Sequence, residues 1–309
     1  MRVASRAAGV PRTERALFLH VRPQKSIHAL PGLESGEGVR LHAPPPMPEL
    51  AEVEYYRRQW DAGLRRQVTR VALHGGARLF RGEDPVRFAA ALPGARLLGS
   101  EARAKQMLFR FSRGLWVGVH LGMTGKIRVE PRDFVPGRHD HLVLFQATQA
   151  LVFSDPRMFG RVRFFEGTAP PPWWTALPPA VTSPEFTVEV VRDFLRRRAR
   201  LAVKAALLVQ TRFPGVGNWM ADEILWRARI DPRRTCGTLA RRAEGLWRET
   251  REVCRVAMET VAVDFSDPPE GWFYHVRWAG DGACPRCGRT VKSATIGGRT
   301  TRWCGRCQR

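Results

Sequence analysis

No stretch of the 309 residues approaches the roughly 18 to 20 consecutive apolar residues that a membrane-spanning helix requires. No continuous apolar run precedes a small-residue cleavage site near the start either, so a secretory signal is not read. Acidic residues are in deficit, 29 Asp+Glu against 51 Lys+Arg, which leaves a net charge of +22. Lysine is scarce, and most of the cationic excess is arginine, the side chain that grips phosphate in bidentate fashion. Cysteine is limited to 6, four of them paired in spacing near the C-terminus. That usage speaks for a metal site in a reducing compartment and against a disulfide framework.

What is present narrows the partner. A charge of this sign and size suits a polyanion, and for a soluble chain the default polyanion is nucleic acid. Residues 1–46 carry seven Lys and Arg against three Glu, so +18 of the +22 belongs to the rest of the chain. Ribosomal and histone-like proteins are as basic, but 10 Trp and 16 Phe are more than such proteins use. The length allows two domains with real cores.

Residues 1–46 show no period and end in Ala43-Pro44-Pro45-Pro46, which reads as a disordered extension or a start codon assigned too far upstream. From Pro48 to Leu64, apolar residues at three- and four-residue steps predict an amphipathic helix. Strands are expected at 67–73, 96–111, 115–121, 126–130, 141–147, 150–154 and 161–166, giving a β-sandwich or flattened barrel with flanking helices over 47–168. A Pro- and Trp-rich linker fills 169–184. Helices at 187–197, 201–210, 218–229, 238–248 and 250–263 make a helical domain over 185–279. The Gly-, Arg- and Cys-rich 280–309 is too small to fold without a staple. The fold class is α+β, multidomain.

Cys284-Pro-Arg-Cys287 and Cys304-Gly-Arg-Cys307 have the spacing of a four-thiolate tetrahedral zinc site, structural because no coordination position is left open. Redox cysteines are the alternative. Between them Lys292, Arg299 and Arg302 suggest a hairpin with a cationic tip. Phe213-Pro-Gly-Val-Gly-Asn218 leads into a helix, where glycines let backbone N–H groups approach an anion and Asn218 is expected to cap. A ligand-free helix corner would look the same. His120-Leu-Gly-Met123-Thr-Gly and Ser154-Asp-Pro-Arg157-Met-Phe159-Gly end strands in turns that display large side chains. Such side chains either fill a core or wedge into an unstacked duplex. Met47-Pro48-Glu49-Leu-Ala-Glu52 reads as a helix start with acids in its first turn. It would also supply a secondary amine if the chain began at Pro48.

Taken together, MPELAEVE, RAK, HLGMTG, HDH, SDPRMFG, PGVGNWMADEIL and CPRC…GRTTRWCGRCQ, in this order over about 260 residues, resemble the bacterial formamidopyrimidine-DNA glycosylases. The resemblance implies a helix–two-turn–helix domain after the sandwich and a zinc-finger hairpin at the end, with one structural zinc ion. It implies a bifunctional glycosylase and abasic-site lyase acting on oxidised purines in double-stranded DNA. Pro48 would be the nucleophile, Glu49 the acid, Glu52 a supporting carboxylate, and Lys105 and Arg299 phosphate-gripping catalytic groups. His139, Arg157, Lys204 and Asn218 would contact DNA. Met123, Arg157 and Phe159 would fill the space left by the extruded nucleotide. A monomer in the cytoplasm, bound to the nucleoid through DNA, is expected.

Two departures stand out. Many relatives carry a basic residue at the position of Met158. Also, 46 residues precede Met47, and an internal Pro48 has an amide nitrogen with no amine chemistry. The competing reading is a damaged-DNA-binding protein whose Pro48 is blocked by the extension; an RNA-associated protein is a third.

Overall fold

The computed structural model describes residues 47–74, 77–278 and 281–309. The expectation for 1–46 lies outside the described residues. Eight antiparallel strands form two four-stranded sheets. One has the order β1 (Val68–Leu73), β6 (Asp140–Gln146), β7 (Gln149–Ser154), β5 (Lys126–Pro131). The other has the order β2 (Leu97–Arg103), β3 (Gln106–Phe111), β4 (Leu115–His120), β8 (Arg161–Glu166). Their inner faces share a core that includes Val68, Phe109, Val117, Leu144 and Phe153. The outer faces carry apolar clusters too, Val143, Phe145, Ala150 and Val152 on one sheet and Leu108, Trp116 and Trp174 on the other. Burial on both faces explains why several strands read as continuous hydrophobic runs and not as alternation.

The expected strand 96–111 is two strands. Ala104, at φ 59, turns the chain back so that Arg103 pairs with Gln106 and Lys105 sits at the apex. Alanine is not a turn residue, so the sequence carries no signal there. The N-terminal helix α1 (Leu50–Gln59) stops short of Leu64 in a 3-10 turn, Trp60–Gly63. A short helix α2 (Pro85–Ala91), capped by Asp84, was not anticipated.

The expected linker is packed at both ends. Helix α3 (Pro172–Thr175) lays Trp173 against Gly118, where a Cβ would stand 2.3 Å from the ring, and buries Trp174. Further on, Arg251 donates to the carbonyls of Thr182 and Ser183 at 2.9 and 2.6 Å.

The helical part holds α4 (Val188–Arg197), α5 (Val203–Leu207), α6 (Asn218–Arg227), α7 (Ala243–Glu259) and α8 (Val261–Asp264). The break expected near residue 249 is absent: Leu246, Thr250, Val253, Cys254 and Ala257 continue one buried stripe through α7. Only its N-terminal part, Cys236–Arg242, is a separate 3-10 segment. The chain closes with the hairpin β9 (Lys292–Ile296) and β10 (Arg299–Trp303), turning at Gly297-Gly298. Arg299 stands at that tip, whereas Lys292 lies at the base opposite Trp303. Among the described residues no helix is long and apolar enough to cross a membrane.

Candidate active site and DNA-facing groups

The site forms where the start of α1 meets the start of α6. Pro48 and Glu49 are buried just before α1. The Glu49 carboxylate accepts three backbone N–H groups, from Gly217 (2.9 Å), Trp219 (2.8 Å) and Met220 (3.1 Å). A carboxylate 168 residues away in sequence thus satisfies the orphan donors at the N-terminus of α6. Asn218, expected as that cap, is the first residue of the helix, and its side-chain amide donates to Thr300 O (2.9 Å) in the hairpin. Gly217 permits the arrangement because a Cβ there would fall 2.2 Å from Glu49 Cδ.

Glu52 accepts the backbone N–H of Glu49 (3.1 Å) and the indole N–H of Trp219 (2.8 Å), closing a capping box on α1. Burial pushes both carboxyls up. Glu49 is raised against the opposing pull of Lys105 and its backbone donors. Glu52 is raised to about 7, with the Glu49 charge adding to desolvation. Burial lowers Lys105 first; the nearby Arg299 charge acts the same way, while Glu49 and Glu52 oppose it. Glu49, Glu52 and Lys105 thus act on one another electrostatically, Arg299 acts on Lys105, and Pro48 adjoins Glu49 in the chain. The residues come from α1, the β2–β3 turn and the hairpin tip, with α6 as the platform.

The turns at 120–125 and 154–160 are held as a unit. Asp155 accepts Thr124 Oγ1–H at 2.6 Å and Gly160 N–H at 2.7 Å, and its own N–H donates to His139 O at 3.0 Å. At Gly122, φ 67, a Cβ would lie 2.5 Å from Gly160 N, so only glycine lets the turns touch. Met123 is half-buried on the first turn, while Phe159 is 46 % exposed on the second. The Arg157 guanidinium lies 4.7 Å from the Phe159 ring centroid. Met158 takes a left-handed φ of 53 and points a neutral side chain outward, 39 % exposed. His139 follows Arg138, whose Nε–H donates to its Nε2 at 2.8 Å.

Lys204 does not stand where a phosphate could reach it. It is fully buried, its ammonium 2.5 Å from Asp222 Oδ1 and 2.7 Å from Asn218 O. Asp222 also accepts from Arg277 at 2.8 Å and from the backbone N–H of Arg302 at 3.3 Å. The expected DNA contact is corrected to a buried ion triad tying α5, α6 and the hairpin together. Sequence reasoning missed Asp222 and Arg277; an acid and an Arg 55 residues apart carry no local signal.

The four thiols of Cys284, Cys287, Cys304 and Cys307 lie within 4.8 Å of one another, with Sγ pairs at 4.0 and 3.5 Å. Tetrahedral Zn–S bonds of about 2.3 Å place sulfurs roughly 3.8 Å apart, so the cluster fits zinc. Trp226 Nε1–H donates to Cys284 Sγ at 3.4 Å, an outer hydrogen bond of the kind that orients a ligand.

Comparison with known proteins agrees with this arrangement. The family described as "Formamidopyrimidine-DNA glycosylase N-terminal domain" matches residues 47–162. The corresponding H2TH domain matches 177–267, and the "Zinc finger found in FPG and IleRS" matches 283–309. Curated relatives include formamidopyrimidine-DNA glycosylases of Xanthomonas axonopodis pv. citri, 37% identical, and Halorhodospira halophila, 36% identical; each alignment covers 85% of this chain and 100% of the relative. Among solved structures, a complex of the Lactococcus lactis protein with abasic-site DNA aligns at TM-score 0.75 and 26% identity, covering 84% of this chain and 99% of that one. A MutM complex with DNA containing carbocyclic 8-oxo-G aligns at TM-score 0.76, 26% identity and the same coverage. The chain belongs to the formamidopyrimidine-DNA glycosylase family.

Proposed function

We propose that this protein is a bifunctional DNA glycosylase and abasic-site lyase that removes oxidised purines, 8-oxoguanine and formamidopyrimidines, from duplex DNA. The observation that carries the reading is Glu49: a buried carboxyl one residue from Pro48, fixed by three backbone donors and facing Lys105. A carboxyl that burial holds toward its protonated form is a general acid. In the proposed sequence the Pro48 amine attacks C1′ and the damaged base departs. Glu49 protonates the ribose ring oxygen as the ring opens to an iminium. The iminium acidifies the C2′ proton; its loss to a base expels the 3′ phosphate, and a second elimination expels the 5′ phosphate.

Lys105 and Arg299 grip the flanking phosphates, with Asn218 and His139 supporting the bent backbone. Met123, Arg157 and Phe159 enter the gap left by the extruded nucleotide, Arg157 facing the orphaned cytosine. The cysteine cluster holds a structural zinc ion, and the protein acts as a cytoplasmic monomer. Because the described chain continues through Met47 into Pro48, the amine exists only when that peptide bond is absent. The active species is therefore the one beginning at Pro48. A chain that keeps residues 1–47 attached would bind damaged DNA without cutting it.

The direct test is a duplex carrying 8-oxoguanine opposite cytosine, incubated with protein beginning at Pro48. The expected product is a one-nucleotide gap with phosphate on both ends. Base release without scission would remove the lyase half of the reading, and an untouched duplex would remove both halves.

A further inference from the structure

A second cationic site lies beside the wedge turns, on the outer face of the β2–β3–β4–β8 sheet. A cavity of about 240 Å³ is lined by Arg81, His120, Phe159, Arg161, Arg163 and Trp173, among others. The register builds it: His120 of β4 faces Arg161 of β8, and Gly118 faces Arg163, so both arginines emerge on the same side. Gly118 leaves room for the Trp173 ring, and the Arg163 guanidinium stacks 4.9 Å from the centroid of that ring.

Cations outnumber the carboxylates within reach: Arg81, Arg161, Arg163 and Lys105 against Glu83 and Asp155. Among the described residues none of the three arginines makes a carboxylate salt bridge. Arg81 donates to the carbonyls of Gly160 (3.1 Å) and Arg78 (3.3 Å), and Arg161 Nε is buried without a partner. Glu83, whose charge reaches Arg163, accepts the Phe164 N–H at 3.0 Å. His120 is a donor here and not a base: its Nδ1 accepts the Gly122 N–H at 3.0 Å, leaving the proton on Nε2. Burial, with Lys105, Arg81 and Arg163, holds it neutral, its pKa near 4. Like charges crowded on one sheet face destabilise it unless an anion joins them. The anion is at hand if the wedges enter DNA, since Phe159 forms one wall.

We propose that Arg161 and Arg163, with Arg81, form a pocket for a backbone phosphodiester of the bound duplex. It stands in for the contact that the neutral Met158 does not make. The inference rests on the DNA-binding reading above and assigns an additional phosphate to it.

The test is binding of a duplex with a tetrahydrofuran abasic analogue opposite cytosine, titrated from 50 to 300 mM salt. Each phosphate neutralised adds about 0.9 to the slope of log affinity against log salt. The double variant Arg161→Gln/Arg163→Gln is expected to lose about 0.9 from the parent slope. Phosphate-ethylation interference should lose one position on the duplex. Arg161→Gln alone, whose side chain supports no stacked ring, should weaken binding several-fold at 50 mM salt. It serves as the deciding variant if the double one does not fold. A parental slope in the double variant, or parental affinity in a folded Arg161→Gln, overturns the proposal. So does competition by millimolar inorganic phosphate that the double variant abolishes while the slope stays parental, for then the pocket takes free phosphate. Failure of the parent itself to bind the duplex overturns the functional reading and this pocket with it, a distinguishable result.

Discussion

Glu49 carries two loads on one carboxyl: it caps α6 and, in the proposed chemistry, hands over a proton. The loads compete, because three N–H donors favour the charged form while burial favours the neutral one. Glu49→Gln keeps the size but turns an amide N–H toward one of those donors. Base release in single-turnover kinetics should fall by about 10²- to 10⁴-fold, the range of general acid catalysis. Trapping on a pre-formed abasic site should persist; undiminished base release would remove Glu49 from the acid role. Glu52 gives a pH prediction. Below about pH 4.5 its carboxyl is protonated folded and unfolded alike and exerts no penalty. As pH rises toward 7 the unfolded chain loses the proton first, so this group subtracts from stability, on the order of 3 kcal/mol once both states are ionised. Urea unfolding of Glu52→Gln should therefore gain on the parent between pH 5 and pH 8. A constant difference across that window contradicts the account.

At the scale of elements, the junctions rest on groups far apart in sequence. Gly217→Ala alters none of the proposed catalytic groups chemically yet pushes a methyl into Glu49. Base release should drop toward the Glu49→Gln level, whereas parental kinetics would mean α6 can shift freely. Lys204→Ala strips one cation from the buried Asp222 triad, and breaking such a cluster costs about 3–5 kcal/mol. The thermal midpoint should fall sharply while the salt slope of DNA binding stays parental; a slope reduced by about 0.9 would restore Lys204 as a phosphate contact. Much at this scale was legible in the sequence. The strand–turn periodicity located nearly every strand, and the Gly-bearing turns located Met123, Arg157 and Phe159. What stayed hidden were long-range substitutions for local signals. Glu49 replaces Asn218 as the cap, Asp222 claims Lys204, and Ala104 turns a chain that reads as one long strand. Each depends on a partner that periodicity cannot see.

Across the whole molecule, the sandwich, the helical domain and the finger contribute one arm each to the site: Lys105, the α6 platform and Arg299. The finger is fastened by Asn218 to Thr300 O, by Gln308 to Ile230 O at 2.9 Å, and by Arg286 lying 3.8 Å over the Trp226 ring. A chelator that strips the proposed zinc should release this arm, because so small a unit folds on its metal. One zinc per chain and loss of duplex affinity on chelation are expected; retained affinity would mean that the finger holds without metal. The central claim concerns Pro48, and borohydride trapping on an 8-oxoguanine:cytosine duplex tests it most directly, with the chain beginning at Pro48 run beside the 309-residue chain. The account predicts a covalent protein–DNA adduct from the shorter chain alone. Equal trapping by the intact 309-residue chain, or no adduct from a Pro48 chain that still binds the duplex, would contradict it.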